Sequence, residues 1–246
     1  DAINMQGVRT KEGNAELRAL KAGNDLVEFV PDIQIEVESV KQAVANGEIT
    51  LAEIETKCRK ILALKRWVNL NAYKPADTKE LTKKLNSPYY EVTVRKLIKG
   101  SFTVLNNSNN ILPVEHLDSF KIASVVIDTG KVNAFQDMLD NYTRIDHFTI
   151  SKNATERDLT NLLAKLKNYN LVILGIYGIN IYPAGKYGTT EIQRKTVAEI
   201  IKRNNSVTVF FGNAYALKHF ENINQSKGLI MAYQKLQLTK ELAAQL

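Results

Sequence analysis

Five side chains in this sequence combine a reactive type with a position worth testing: Asp1, Cys58, His116, His147 and His219. Asp1 heads the stretch "DAINMQGVR", where a carboxylate is followed at once by small and apolar residues and a glycine. On its own it reads either as a helix-capping aspartate or as the last residue of a strand. Cys58 would be a thiol nucleophile if activated. It falls instead on one stripe with Ile54, Ile61, Leu62 and Lys65, at helical spacing, so it reads as a small buried apolar residue. As the one cysteine it forms no internal disulfide. The three histidines are scattered, with none near another histidine or the cysteine at a metal-ligand spacing, so no zinc or other metal site is expected. No G-x-S-x-G elbow supports a serine nucleophile. No G-x-G-x-x-G follows the first strand and no Walker loop occurs, so no nucleotide cofactor is expected. Gly175 and Gly178 alone are explained by a tight turn.

The bulk composition narrows the field further. With 246 residues and 44% hydrophobic content, the chain can bury a sizeable core. Its longest apolar run, 171–182, is too short for a membrane helix and is broken by glycines. The chain therefore reads as soluble, and "DAINMQGVR" lacks the basic-then-apolar pattern of a signal peptide. The net charge is +7, from 33 basic and 26 acidic residues. The basic residues are interspersed with acids and form no stripe with aromatics, so nucleic acid is not an expected partner.

The elements that would position these side chains fall into two parts. A helix over 11–22 stops at Gly23, a left-handed cap. "NDLVEFV" at 24–30 is predicted to be a buried strand. Asp32 caps a helix with Ile33, Val37, Val40 and Val44 on one face. Thr50 and Glu53 form a capping box that opens a helix to about Trp67. Residues 1–70 thus read as strand end, helix, strand, helix, helix, too little sheet to close a core. Residues 71–87 are polar and carry a proline, as a linker would. Ser87-Pro88 starts a helix that ends near Gly100.

From there strands are predicted at 102–105, 121–127, 145–149, 171–177, 206–211 and 228–233. Helices are predicted at 131–141, 155–168, 189–204, 214–221 and 238–245. Continuous apolar strands such as "IASVVI" and "LVILGIY" indicate burial on both faces. The fold class expected for 88–246 is α/β, a three-layer sandwich around a mainly parallel, doubly wound sheet. Ligands of such sheets sit past the carboxyl ends of the strands, which singles out the loops 128–130, 178–188 and 212–215. The long 178–188 loop, with Tyr182, Pro183, Lys186 and Tyr187, is expected to dock on a neighbouring domain.

The first segment resembles glycoside hydrolase family 3. The resemblance rests on "DAINMQGV", on "AGND" at 22–25 leading into "LVEFV", and on "GEIT" at 47–50 followed by "RKILALK" at 59–65. It continues past the linker in "GSFTVLNNSNNILPV", "VFFGNAYAL" and "GLIMAY". The last two are similar to segments of a bacterial branch of β-N-acetylhexosaminidases, with Ala214 in place of a proline and Gln234 in place of an acid. The resemblance implies that 1–70 is the carboxyl-terminal part of a (β/α)8-type barrel, 71–87 a linker and 88–246 the family's α/β sandwich domain. It implies a parent enzyme that cleaves β-linked N-acetylhexosaminides with retention, without cofactor or metal.

Within that resemblance Asp1 falls on the catalytic nucleophile. The acid/base of the hexosaminidase branch, a histidine paired with an aspartate, is expected upstream, so the isolated chain is expected to be inactive. In the glucosidase branch a glutamate of the second domain serves instead, and Glu191 and Glu115 are candidates only through their nearness to loops. A β-glucosidase or xylosidase of the same family is the competing reading. A third is a non-catalytic module, formed by 88–246, that braces the barrel or a partner domain. The expected partners are a glycan substrate and the upstream barrel residues. The branch implies a bacterial periplasmic or outer-surface location, with the cytoplasm as the alternative.

Overall fold

The structure, a computed structural model, describes residues 2–8, 14–127 and 133–246. It divides into two compact units, Asp1–Leu81 and Thr82–Leu246.

The first unit is built from three capped helices. Helix α1 (Ala15–Lys21) begins at Asn14, whose side chain accepts the Leu17 amide. Asn14 also donates to Glu36 Oε2 (2.6 Å) and Ser39 Oγ (3.0 Å), fixing α1 to helix α2 (Ile33–Ala45). Asp32 caps α2 by accepting the Gln34 and Ile35 amides. Helix α3 (Leu51–Trp67) opens with the expected capping box: Thr50 and Glu53 satisfy each other's backbone amides. These donors from Thr50, backbone first, hold the Glu53 carboxyl below the usual carboxylate range.

The strand predicted at 24–30 is not formed. Glu28 makes a single parallel bridge to Ala2, while Leu26 is 53% exposed and Phe29 68% exposed. A strand buried on both faces needs a ladder beside it and layers above and below. Among the described residues, only Ala2 and Ile3 pair with it along the backbone. Cys58 is likewise exposed rather than buried. With Ile54 it lines an open apolar recess instead of a closed core.

A short helix, α4 (Leu81–Leu85), starts at the last residue of the first unit and runs into the second, within the stretch expected to be a linker. Helix α5 (Pro88–Ser101) follows, with proline at its first position. Then come β1 (Thr103–Asn107), β2 (Ile122–Ile127), α6 (Ala134–Leu139), β3 (Asp146–Ile150), α7 (Glu156–Leu166), β4 (Leu171–Ile176), α8 (Ala184–Gly188), α9 (Glu191–Arg203), β5 (Ser206–Phe210), β6 (Gly228–Met231) and α10 (Gln237–Ala243). The strands form one six-stranded sheet in the order β1-β6-β5-β4-β2-β3. Every pairing is parallel except β1 with β6, which is antiparallel. The direction of winding reverses at β2 and β4, as in a doubly wound sheet.

Strand alternation sends two sets of side chains to opposite faces. Ala123, Val125 and Ile127 of β2 join Val172, Leu174 and Ile176 of β4 beneath α7 and α9. Ile122, Val126, Leu171 and Ile173 go to the other face with Phe135 and Leu139 of α6 and Ala243 of α10. Both central strands are buried along their whole length. Each buried Val, Ile or Leu among these contributes about 1.5–3 kcal/mol relative to exposure; the small polar Ser124, Ser206 and Thr208 are buried among them. Gln136 of α6 is one of the wholly buried polar side chains, and it donates to the Ser124 and Phe148 carbonyls, joining α6 to β2 and β3. The helix expected at 214–221 is a 3-10 turn, Ala214–His219, capped by Asn213. Asn213 accepts the Tyr215 amide at 3.0 Å, which closes a tight turn instead of an α-helical one.

Candidate functional site

Asp1 lies outside the described residues. The residues that follow it are placed. Ala2 bridges to Glu28, Ile3 donates its amide to the Glu28 carbonyl at 3.0 Å, and the Ile3 side chain is buried. The "AGND" segment is fastened to α3: Lys57 reaches the Asn24 carbonyl and Lys60 pairs with Asp25, both at 3.0 Å. The "AGND" motif is thereby tied to the helix that carries the third motif. Beside them opens an apolar recess of about 630 Å³ lined by Leu26, Phe29, Ile33, Val37, Ile54 and Cys58. Glu16, Asp25, Glu36, Lys41 and Lys57 also line it.

In the second unit the candidate loops lie past the carboxyl ends of the strands. Loop 128–130 is outside the described residues. Loop 178–188, after β4, is tightly constrained. The Asn180 amide donates to the Tyr187 carbonyl at 2.9 Å, and the Asn180 side chain accepts the Tyr182 amide at 3.0 Å. Gly185, Lys186 and Tyr187 all have left-handed backbone, at φ 61°, 53° and 61°. For Lys186 and Tyr187 that costs roughly 1–2 kcal/mol each. What holds the turn is its packing: the Tyr187 ring is buried against His219, with centroids 6.0 Å apart. Thr189 adds two hydrogen bonds to the Lys186 carbonyl.

The same loop sits against the one after β5. A Cβ on Gly212 would lie 2.4 Å from the Ile179 Cβ, so glycine is required for the two loops to touch. Gly212→Ala is expected to cost about 1–3 kcal/mol through this overpacking. A lowered urea midpoint would register it, and an unchanged midpoint would mean the loops do not meet as described.

Helix α9 is anchored beneath this loop. Gln193 Nε2 donates to the Tyr177 carbonyl at 2.7 Å. Arg194 donates to the Thr189 carbonyl at 3.2 Å and to its hydroxyl at 2.9 Å. The Thr190 hydroxyl donates to the Lys152 carbonyl. His219 is held below the ordinary imidazole range, first by loss of solvent and then by Lys218, Lys186 and Arg194 around it.

The structure separates the two candidate glutamates. Glu191 is the first residue of α9, next to the 178–188 loop at the carboxyl edge of the sheet. Glu115 lies at the opposite edge, in a hollow of about 420 Å³ with Asn109, Asn110, Asn205 and Lys227. That is the edge away from which open α/β sheets bind ligands. Among the described residues no group of three metal-ligating side chains comes together. His147 pairs with Asp140 at 2.9 Å, remote in the chain from the other histidines. No helix of the described residues is long and apolar enough to cross a membrane. The gathering of Lys186, Arg194, Lys218 and His219 was missed in the sequence, because "GKYG" and "ALKH" share no periodicity that would join them.

No family model and no curated protein matches the sequence. Solved structures do. A glycoside hydrolase family 3 β-N-acetylglucosaminidase from Paenibacillus sp. str. FPU-7 matches with a TM-score of 0.68 and 16% identity, over 99% of this chain and 47% of that one. A fungal multi-domain family 3 β-N-acetylglucosaminidase matches with a TM-score of 0.66 and 21% identity, over 100% and 28%. A β-glucosidase from Listeria innocua matches with a TM-score of 0.67 and 16% identity, over 94% and 35%. The chain therefore spans less than half the length of each. At such identities the likeness is one of fold, and the fold this chain shares is that of glycoside hydrolase family 3 enzymes.

Proposed function

We propose that this chain is the carboxyl-terminal part of a retaining glycoside hydrolase acting on β-linked N-acetylhexosaminides. Residues 1–70 then complete a (β/α)8-type barrel, 71–87 link, and 88–246 form the second domain. The observation that carries the reading is the shared fold over 99% of the chain with a β-N-acetylglucosaminidase, taken together with "DAINMQGV". In this reading the Asp1 carboxylate attacks the anomeric carbon as the leaving oxygen takes a proton from an acid outside this chain. A glycosyl-aspartyl ester forms, and water then hydrolyses it with the same group acting as base. The apolar recess of the first unit is the kind of surface that further barrel elements would cover.

A β-glucosidase is the second reading, favoured by the Listeria innocua match of nearly equal TM-score. Glu191, at the carboxyl edge, is then the better placed of the two glutamates. The discriminating measurement is kcat/KM of the intact parent on aryl N-acetylglucosaminide against aryl glucoside. The first reading expects a preference of at least about 100-fold for the N-acetyl sugar, since a site built to hydrogen-bond a polar substituent rejects the analogue lacking it. Equal or reversed values would overturn it.

A further inference from the structure

The face of the sheet that packs on α6 and α10 is not completely filled. It holds a cavity of about 160 Å³. Ile122, Ile173, Val207 and Ile230, one from each of four neighbouring strands, form its floor, and each is at most 7% exposed. Phe135 and Leu139 of α6 also line it. The end of α10 reaches it with Ala243 and Ala244, whose small side chains leave the space that a leucine would take. Among the described residues no Asp, Glu, Lys, Arg or His lines the cavity, and its polar side chains are Tyr142, Thr143 and Gln245. Tyr142 and Gln245 are exposed, and so mark its mouth. Gln245 is fastened there to Met138 Sδ at 3.6 Å.

A buried water needs two to four polar partners, and the floor supplies none. Side chains that face a void also forfeit the dispersion contacts that packed neighbours would give. An apolar molecule restores those contacts without stranding a polar atom. A cavity of roughly 150 Å³ lined by Leu, Ile and Phe stays dry and takes up benzene, and this one matches it in size and lining. We propose that the cavity is a binding site for a compact, uncharged apolar molecule the size of one aromatic ring, entering past Tyr142 and Gln245. The site lies wholly in the second unit, so it stands whether or not Asp1 is a nucleophile.

Thermal melts of the 246-residue chain with and without benzene test it. Benzene is expected to raise the melting temperature by an amount that grows with its concentration. Ala243→Leu fills the space from α10, and is expected to raise the melting temperature of the free chain by about 2–4 °C. The same variant should bind benzene at least about 10-fold more weakly, since side chain and ring compete for one space. Ala216→Leu, at a wholly buried position on the opposite face of the sheet, is expected to lower the melting temperature through overpacking. A lower melting temperature for Ala243→Leu, or its failure to fold, would show the space to be already filled and would overturn the site. So would a melting temperature that benzene leaves unchanged or lowers, or equal benzene binding by the parent and Ala243→Leu.

Discussion

Replacing Asp1 by Ala in an intact parent enzyme is expected to lower kcat/KM on an aryl N-acetylglucosaminide by about 10⁴-fold or more. The size follows from the role. Without the carboxylate no covalent glycosyl-enzyme forms, and water must attack the anomeric carbon unaided. That loss corresponds to about 5 kcal/mol of barrier. Asp1→Asn should be nearly as damaging, since an amide keeps the shape but is a poor nucleophile. Stability should barely move, so an unchanged melting temperature separates chemistry from folding. Turnover within ten-fold of the parent would remove Asp1 from the mechanism. The 246-residue chain by itself should show no turnover, because the acid/base is expected outside it.

The second large effect is on stability. Phe211→Ala is expected to destabilise the second unit by about 3–5 kcal/mol. Phe211 is 1% exposed, stacks on Tyr177 with ring centroids 4.4 Å apart and meets Phe135 edge-on at 5.6 Å. Lys240 of α10 lies over the Tyr177 ring at 5.4 Å. Deleting the middle ring of the three therefore loosens α6 and α10 together. Burial already pushes the Tyr177 phenol well above its ordinary range, outweighing the opposite pull of Asn133. A domain of this size is stable by about 5–15 kcal/mol, so the loss is a large share of the whole. Urea unfolding of the chain measures it, and a change under about 1 kcal/mol would contradict the packing described.

How far the sequence disclosed this molecule depended on what each element leans on. The capping box at Thr50 and Glu53 is a local pattern and appears as expected. The central strands are legible because a fully buried parallel strand needs an unbroken apolar run, and "IASVVI" and "LVILGI" are such runs. "NDLVEFV" has the same look but stays exposed, since its burial depends on neighbours and not on its own residues. Cys58 misleads in the same way: helical spacing names a face without saying what covers it. The reversal of β1 was not legible, because a strand's direction is set by the connection around it. The cationic cluster was hidden for another reason. Lys186 and Lys218 come from β-α loops far apart in the chain, brought side by side by contacts such as Tyr187 with His219 and Gly212 with Ile179.

The antiparallel strand β1 has a consequence beyond topology. It is one margin of the sheet, and its register against β6 slips between Val104 and Asn106. Asn106 there donates to the Ser226 carbonyl at 2.7 Å. A margin that is bent and irregular is a poor template for another strand. The opposite margin, β3, is five residues long and begins with Asp146 and His147. Its Asp146 carboxylate accepts the Tyr169 hydroxyl at 2.7 Å. A charged start on a short strand discourages addition on that side too. A sheet whose central strands are wholly buried thus offers poor templates for strand addition at both margins, which discourages fibre-like self-association of the unit.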